Sequence, residues 1–177
     1  GWEKLYMERT CRHYREDFGL DTRIVRFHNI FGPLGTYDGG REKAPAALCR
    51  KIALVEDGSE IELWGDGEQT RSFCYIDDCV AGLLRLMASD FHDPLNLGQD
   101  RMVTINELAY MVADAAGKCI RIRHEMDRPL GVRGRNSDNT LLRQILGWEP
   151  AISLEEGIRR TYAWIRGQLI STGKLKA

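Results

Sequence analysis

Residues 26–51, RFHNIFGPLGTYDGGREKAPAALCRK, decide how this chain folds. The run Thr22-Arg-Ile-Val-Arg-Phe27 has β character and breaks into a polar, glycine-rich loop that carries Asn29, Arg41 and Lys43. That loop feeds a helix beginning near Ala44-Pro45, since proline is suited to a first helical turn. In an open α/β sheet, ligands bind in the crevice beyond the carboxyl ends of the strands. A long, charged loop at that place is therefore read as a site.

Working outward, the chain opens inside an amphipathic helix over 2–18, with Met7, Cys11, Tyr14 and Phe18 spaced along one face. After the strand at 22–27 and the loop to 43, a helix is expected over 45–54. Short strands follow near 60–64 and 71–76, with the turn Gly65-Asp-Gly67 between them. Asp77 is expected to cap a helix whose apolar face is Val80, Leu83, Leu84 and Met87. Pro94 to Leu97 reads as a strand. Thr104 with Glu107, and Ser153 with Glu156, read as capping boxes opening two later helices. Cys119 to Arg123 is strand-like, residues 128–139 form a second charged loop, and Leu142 and Ile145 mark a short helix ending at Gly147. The last helix presents Ile158, Tyr162, Ile165 and Leu169 on one face. Strand–helix alternation of this kind predicts α/β. The G-x-G-x-x-G turn of a dinucleotide site is not in the sequence: Gly32-x-x-Gly35 and Gly39-Gly40 have neither its spacing nor its strand-to-helix placement.

Composition narrows the class. The 177 residues are 43% hydrophobic and 29% charged, with a formal net charge of −1. That is enough chain for a real core, and the charge argues against a nucleic-acid or membrane-surface partner. Five scattered cysteines without a C-x-x-C pair read as reduced thiols, which points to the cytoplasm, and four scattered histidines offer no metal-ligand spacing. Trp64, Trp148 and Trp164 are expected in the core, and Cys49 is expected as a small buried hydrophobe.

Six pieces occur in an order that carries a resemblance: Arg26-Phe-His-Asn-Ile-Phe-Gly-Pro33, Trp64-Gly-Asp-Gly67, Thr70-Arg-Ser-Phe73, Asp77-Asp78, Asn96-Leu-Gly98 and Leu146-Gly-Trp-Glu-Pro150. Together they resemble the extended short-chain dehydrogenase/reductases that act on nucleotide sugars. Gly39-Gly-Arg-Glu-Lys-Ala-Pro-Ala-Ala47, Cys49-Arg-Lys51 and Gly131-Val-Arg-Gly-Arg-Asn-Ser-Asp-Asn139 resemble the GDP-mannose 3,5-epimerase branch of that family. The resemblance implies the C-terminal part of a Rossmann-type fold, an incomplete parallel sheet with a small substrate-binding α/β domain. Residues 1–43 would be the Rossmann remnant, and 44–177 mainly the nucleotide-sugar domain, with some elements returning to the sheet.

The same resemblance implies roles. Lys4 falls on the lysine of the family's Tyr-x-x-x-Lys motif, so the tyrosine would be the residue just before Gly1, with most of the NAD site upstream. Lys4 would lower the pKa of that tyrosine and hold the nicotinamide ribose. Lys43 would be an acid/base while NAD transiently oxidises sugar carbon 4 and carbons 3 and 5 are epimerised, turning GDP-D-mannose into GDP-L-galactose. Asn29 would bond sugar or phosphate. Lys51, Arg71 and Arg135 would hold the diphosphate and nucleotide, Arg135 being preferred to Arg133, and Gln69 would read ribose or base. Gly134 would let backbone approach the ligand. The expected partners are a GDP sugar and a second copy of the chain in a homodimer, and the isolated chain is expected to be inactive. Two alternatives stand: another NAD-dependent nucleotide-sugar epimerase or dehydratase, and a non-catalytic sugar-nucleotide-binding or self-associating module.

Overall fold

A computed structural model describes residues 1–128 and 131–176. Residues 129 and 130, within the expected loop 128–139, and residue 177 lie outside the described residues. The chain runs α1 (Trp2–Phe18), β1 (Val25–Phe27), β2 (Ile30–Phe31), α2 (Ala44–Leu54), β3 (Glu60–Trp64), β4 (Thr70–Arg71) and β5 (Cys74–Tyr75). It continues with α3 (Ile76–Met87), β6 (Leu95–Leu97), β7 (Val103–Thr104), α4 (Ile105–Ala116), β8 (Arg121–Glu125), β9 (Gly134–Arg135), α5 (Thr140–Leu146) and α6 (Leu154–Ser171). Parallel pairs β1–β6, β2–β5 and β3–β8 dominate, and β4 lies between antiparallel β7 and parallel β9. The fold is mixed α/β with parallel sheets, as expected.

The main core forms where α2, α4 and α6 pack on one another over β3 and β8. Leu48, Cys49 and Ile52 of α2 meet Leu108, Ala109 and Val112 of α4 and Ile158, Ile165 and Leu169 of α6, all at most 2% exposed. Phe31 joins this core edge-on to Phe73 and Tyr75, with ring centroids 6.2 and 5.7 Å apart. A second cluster gathers Cys74, Cys79, Leu86, Leu95, Leu97 and Leu142. Helix ends are satisfied by specific groups. Thr104 and Glu107 form the reciprocal capping box on α4, and Gly117 closes it in the left-handed region at φ 64°. The Lys118 ammonium donates to the carbonyls of Ile52, Ala53 and Val55 at 2.9, 3.3 and 2.6 Å, placing a cation on the negative end of α2.

Several expectations are corrected. The strand expected at 22–27 contracts to β1, which matches the length of its parallel partner β6; before it, the Thr22 hydroxyl donates to Cys11 O and the Arg23 side chain to Ser89 O. The strand expected at 71–76 divides into β4 and β5, which serve different sheets, and residue 76 already starts α3. The N-cap of α3 is Tyr75, with no side-chain cap, so Asp77 lies inside the first turn. Its neighbour Asp78 is buried and accepts the Ile152 amide at 2.8 Å. The apolar face assigned to α3 is out of phase: Val80, Leu84 and Met87 are exposed, while Cys79, Gly82 and Leu86 are buried. Small residues explain this, since a Cβ on Gly82 would lie 2.6 Å from Leu97 Cδ1 and 2.8 Å from the Trp148 ring. Helix α1 forms as expected but buries none of its residues, and Trp2, Tyr6 and Phe18 are strongly exposed. Trp148 and Trp164 are only partly buried against the cores, and Trp64 is half-exposed. At α6, Ser153 accepts the Glu156 amide, but the Glu156 carboxylate turns to Arg159 and Arg160, so the box is half made.

Two glycines in α6 give opposite expected outcomes. A Cβ on Gly157 would meet Phe31 Cζ at 2.8 Å and Tyr75 Cδ2 at 2.9 Å, whereas one on Gly167 meets nothing within 4 Å. Gly167→Ala should stabilise by up to about 1 kcal/mol through helix propensity. Gly157→Ala gains the same propensity but forces two buried rings apart, a strain of roughly 1–3 kcal/mol, so it should destabilise. Urea unfolding of the two variants checks both signs. The thiols make a second check. Burial pushes Cys49 and Cys74 up to about 12, while Cys119 is exposed. A thiolate-selective disulfide reagent at pH 8 should label Cys119 in the folded chain and reach Cys49 and Cys74 only on unfolding.

Candidate functional site

The loop after β1 turns on Asn29, whose φ of 45° lies in the left-handed region that asparagine tolerates. Its Nδ2 donates to Ser72 O at 2.9 Å and its carbonyl accepts the Cys74 amide at 3.2 Å, tying β2 to β5. From there the chain crosses Gly39 and Gly40, both at positive φ, to Lys43, the N-cap of α2. Because α2 buries its Leu48, Cys49 and Ile52 side in the core, the opposite side carrying Lys43, Ala47 and Lys51 faces open space.

That space is a cleft of about 620 Å³, within the size range of small-molecule sites. Asn29, Lys43, Lys51, Gln69, Arg71 and Arg135 all line it. Lys51 is fixed by donation to Glu62 O at 2.9 Å. Strands β4 and β9 place Arg71 and Arg135 directly opposite each other. Arg71 donates to Thr70 O and Val132 O, both at 2.7 Å; burial first, and the Arg135 charge second, hold its guanidinium below the ordinary value. Gln69 is 9% exposed; its Nε2 reaches Trp64 O at 3.4 Å, and its Oε1 is buried with no partner.

The charges do not balance inside the cleft. Its two lining carboxylates are occupied: Glu42 by Arg50 and the Gly40 amide, Glu62 by the Trp64 indole and Arg123. Among the described residues, Lys43, Lys51, Arg71 and Arg135 have no carboxylate within salt-bridge reach. Such an arrangement can hold a multiply charged anion beside a polar, hydrogen-bonding ligand.

Other residues named from sequence fall elsewhere. Lys4 lines a separate groove with Glu3, Met7, Glu8, Cys11 and Arg26, and the Glu8–Arg26 pair closes it at 2.6 Å. Arg41 is exposed and does not line the cleft. Arg133 is drawn to Asp66 at 2.7 Å, so the geometry brings Arg135 and not Arg133 to the cleft. Gly134 pairs with Thr70 in the β4–β9 ladder, where a Cβ would meet Thr70 Oγ1 at 3.0 Å. Trp64 is the residue that sequence reasoning misplaced. It lines the cleft half-exposed, with Arg128 stacked 5.4 Å from its ring centroid. Its position directly before the Gly65-Asp-Gly67 turn was the available signal for an end-of-strand aromatic. Glu42 and Arg50 were also missed as lining residues.

Comparison with known proteins agrees with this geometry. The chain is 56% identical over 169 residues to GDP-mannose 3,5-epimerase from Arabidopsis thaliana, covering 96% of this chain and 44% of that protein. It is 37% identical over 163 residues to dTDP-4-dehydro-6-deoxy-D-allose reductase from Streptomyces bikiniensis, covering 92% of this chain and 49% of that protein. The chain thus spans somewhat less than half the length of these relatives. Among solved structures, UDP-glucose 4-epimerase from Thermotoga maritima, with UDP-glucose, matches at a TM-score of 0.84 and 28% identity, over 93% of this chain and 52% of that one. Residues 1–98 match the NAD dependent epimerase/dehydratase family. With more than half its residues inside that match and a cleft lined in the way described, the chain belongs to the NAD dependent epimerase/dehydratase family.

Proposed function

We propose that this chain carries the nucleotide-sugar site of a GDP-mannose 3,5-epimerase, with residues 44–177 supplying most of the substrate-binding domain. The observation that carries this reading is the in-register pair Arg71 and Arg135 beside Lys51, cationic groups with no carboxylate near them among the described residues. Like charges set opposite on neighbouring strands oppose folding. A diphosphate bridging them removes that repulsion and uses the bidentate geometry of guanidinium. The half-exposed Trp64 offers a stacking face for a nucleobase. Gln69 Oε1, buried and unpartnered, is an acceptor for a ribose hydroxyl or a base N–H. The 56% identical Arabidopsis relative supports GDP-mannose over other nucleotide sugars.

In this reading Lys43, at the mouth of the cleft, moves a proton at sugar carbon 3 or 5, and Asn29 orients a sugar hydroxyl or phosphate oxygen. The family's NAD fits this chain's residues at one end only. Lys4 presents an ammonium to a groove where it would hold the hydroxyls of the nicotinamide ribose, but no glycine-rich phosphate cradle exists among the described residues. When bound, NAD supplies a reversible hydride acceptor. The reading therefore makes this chain inactive alone. Five free cysteines support a reduced, cytoplasmic setting as part of this reading. A homodimer is supported by the exposed apolar side chains of α1.

Calorimetric titration of the chain with GDP-mannose, with UDP-glucose as control, tests the binding site. GDP-mannose should bind more tightly, and Lys51→Ala or Arg71→Ala should each weaken it roughly 10- to 100-fold, the effect of one charge-assisted hydrogen bond. Measurable binding left unchanged by both substitutions would remove the diphosphate assignment. Chemistry is tested in a protein of the relatives' full length. There Lys43→Ala should abolish solvent-deuterium exchange at carbons 3 and 5 while GDP-mannose affinity changes less than about threefold. Unchanged exchange would take Lys43 out of the mechanism.

A further inference from the structure

One side chain organises the loop that delivers Lys43. Arg50, two turns along α2, donates from Nε to the Tyr37 carbonyl and from Nη2 to Glu42 Oε1, both at 3.0 Å. The other Glu42 oxygen accepts the Gly40 amide at 2.7 Å. A single guanidinium thus joins both ends of segment 37–42. The ion pair is largely sheltered, with side-chain exposures of 23% for Arg50 and 8% for Glu42, so solvent screens it less than a surface pair.

The backbone between those ends needs such a tie. Gly39 and Gly40 adopt φ of 93° and 82°, a region open to glycine and costly in conformational entropy to fix. A second tether comes from the far end of the chain. Lys174, just beyond α6, reaches Asp38 Oδ2 at 2.6 Å, while Asp38 Oδ1 accepts the Gly39 amide at 2.9 Å and lies 3.7 Å from Arg50 Nε. Tyr37 is held edge-on to Trp164 at 5.5 Å. Glu42 lies on the cleft wall beside Lys43, yet its carboxylate is fully engaged by the loop, so it is unavailable as a base.

We propose that Arg50 is a positioning residue for Lys43: by bridging the Tyr37 carbonyl and the Glu42 carboxylate it fixes the loop that presents the lysine ammonium to the cleft, with Lys174–Asp38 as the outer tether. Its consequence for catalysis rests on the reading that Lys43 exchanges protons with a bound GDP sugar. Arginine is required because two donors on one rigid plane reach two different acceptors, which a lysine ammonium at the end of a flexible stem does not reproduce.

The test is nuclear magnetic resonance on the chain, following backbone amide exchange and the ε-carbon signals of labelled lysines, with Lys43 assigned from Lys43→Arg. In Arg50→Ala the amides of Gly39 and Gly40 should exchange about tenfold faster or more, the loss of one charge-assisted bond, and the Lys43 signal should move. Core amides in α2, α4 and α6 should keep their protection, and Arg50→Lys should restore it only in part. Unchanged loop exchange with an unmoved Lys43 signal overturns the proposal. So does equal acceleration of loop and core, which is the mark of a purely structural arginine. Should Arg50→Ala fail to fold, Arg50→Met keeps the packed stem, removes both donors and is read in the same way. Adding GDP-mannose separates the two claims. If it moves no lysine signal in the unsubstituted chain, the binding reading fails, and the ligand-free exchange still upholds or overturns the positioning role.

Discussion

The face of α2 that is buried between α4 and α6 sets where everything else in the cleft can be. Once Leu48, Cys49 and Ile52 are committed to the core, the 3.6-residue period leaves Lys43, Ala47 and Lys51 on one open line. At 1.5 Å per residue the two lysines are separated by about 12 Å along the axis, which in the proposed reading leaves room for a sugar at one end and a diphosphate at the other. The Lys118 ammonium on the last carbonyls of α2 fixes the far end of that line, and the Arg50-tied loop fixes the near end. Orientation of the site is therefore a by-product of core packing, with side-chain ties added only at the helix ends.

How much of this could be read from sequence depended on whether an element's signal was local. Helices α1, α2, α4 and α6 announced themselves through period, caps and a proline, all properties of neighbouring residues. Among the strands β3 did so too, at the expected 60–64, but the shortest did not. Pieces as short as β2, β4 and β5 exist because Asn29, Ser72 and Cys74 happen to meet, and no run of β-formers marks them. The α3 error has a similar origin. Periodicity identified the helix, but its phase was decided by Gly82 fitting under Leu97 and Trp148, and a glycine does not register as part of an apolar stripe.

The site was legible as a set of residues more than as a shape. Asn29, Lys43, Lys51, Gln69, Arg71 and Arg135 were singled out by their motifs, and the fold brings them to one wall-lined space. Between the two neighbouring arginines the geometry agrees with the sequence preference: Arg133 is taken by Asp66, and Arg135 lies opposite Arg71. Trp64 was misassigned because a tryptophan in a strand is ordinarily core. Strand alternation decides its place: with Ile61 and Leu63 facing the core, Trp64 falls on the outward face with Glu60 and Glu62.

The opposed arginines of β4 and β9 also make the solvent a participant in the fold. The free chain carries an electrostatic stress that any small multivalent anion relieves, whatever that anion's biological standing. Inorganic phosphate and sulfate are the simplest anions of that class. In the reading proposed above they would compete with a nucleotide diphosphate for the same two guanidiniums. Buffer composition is, for this protein, a structural variable.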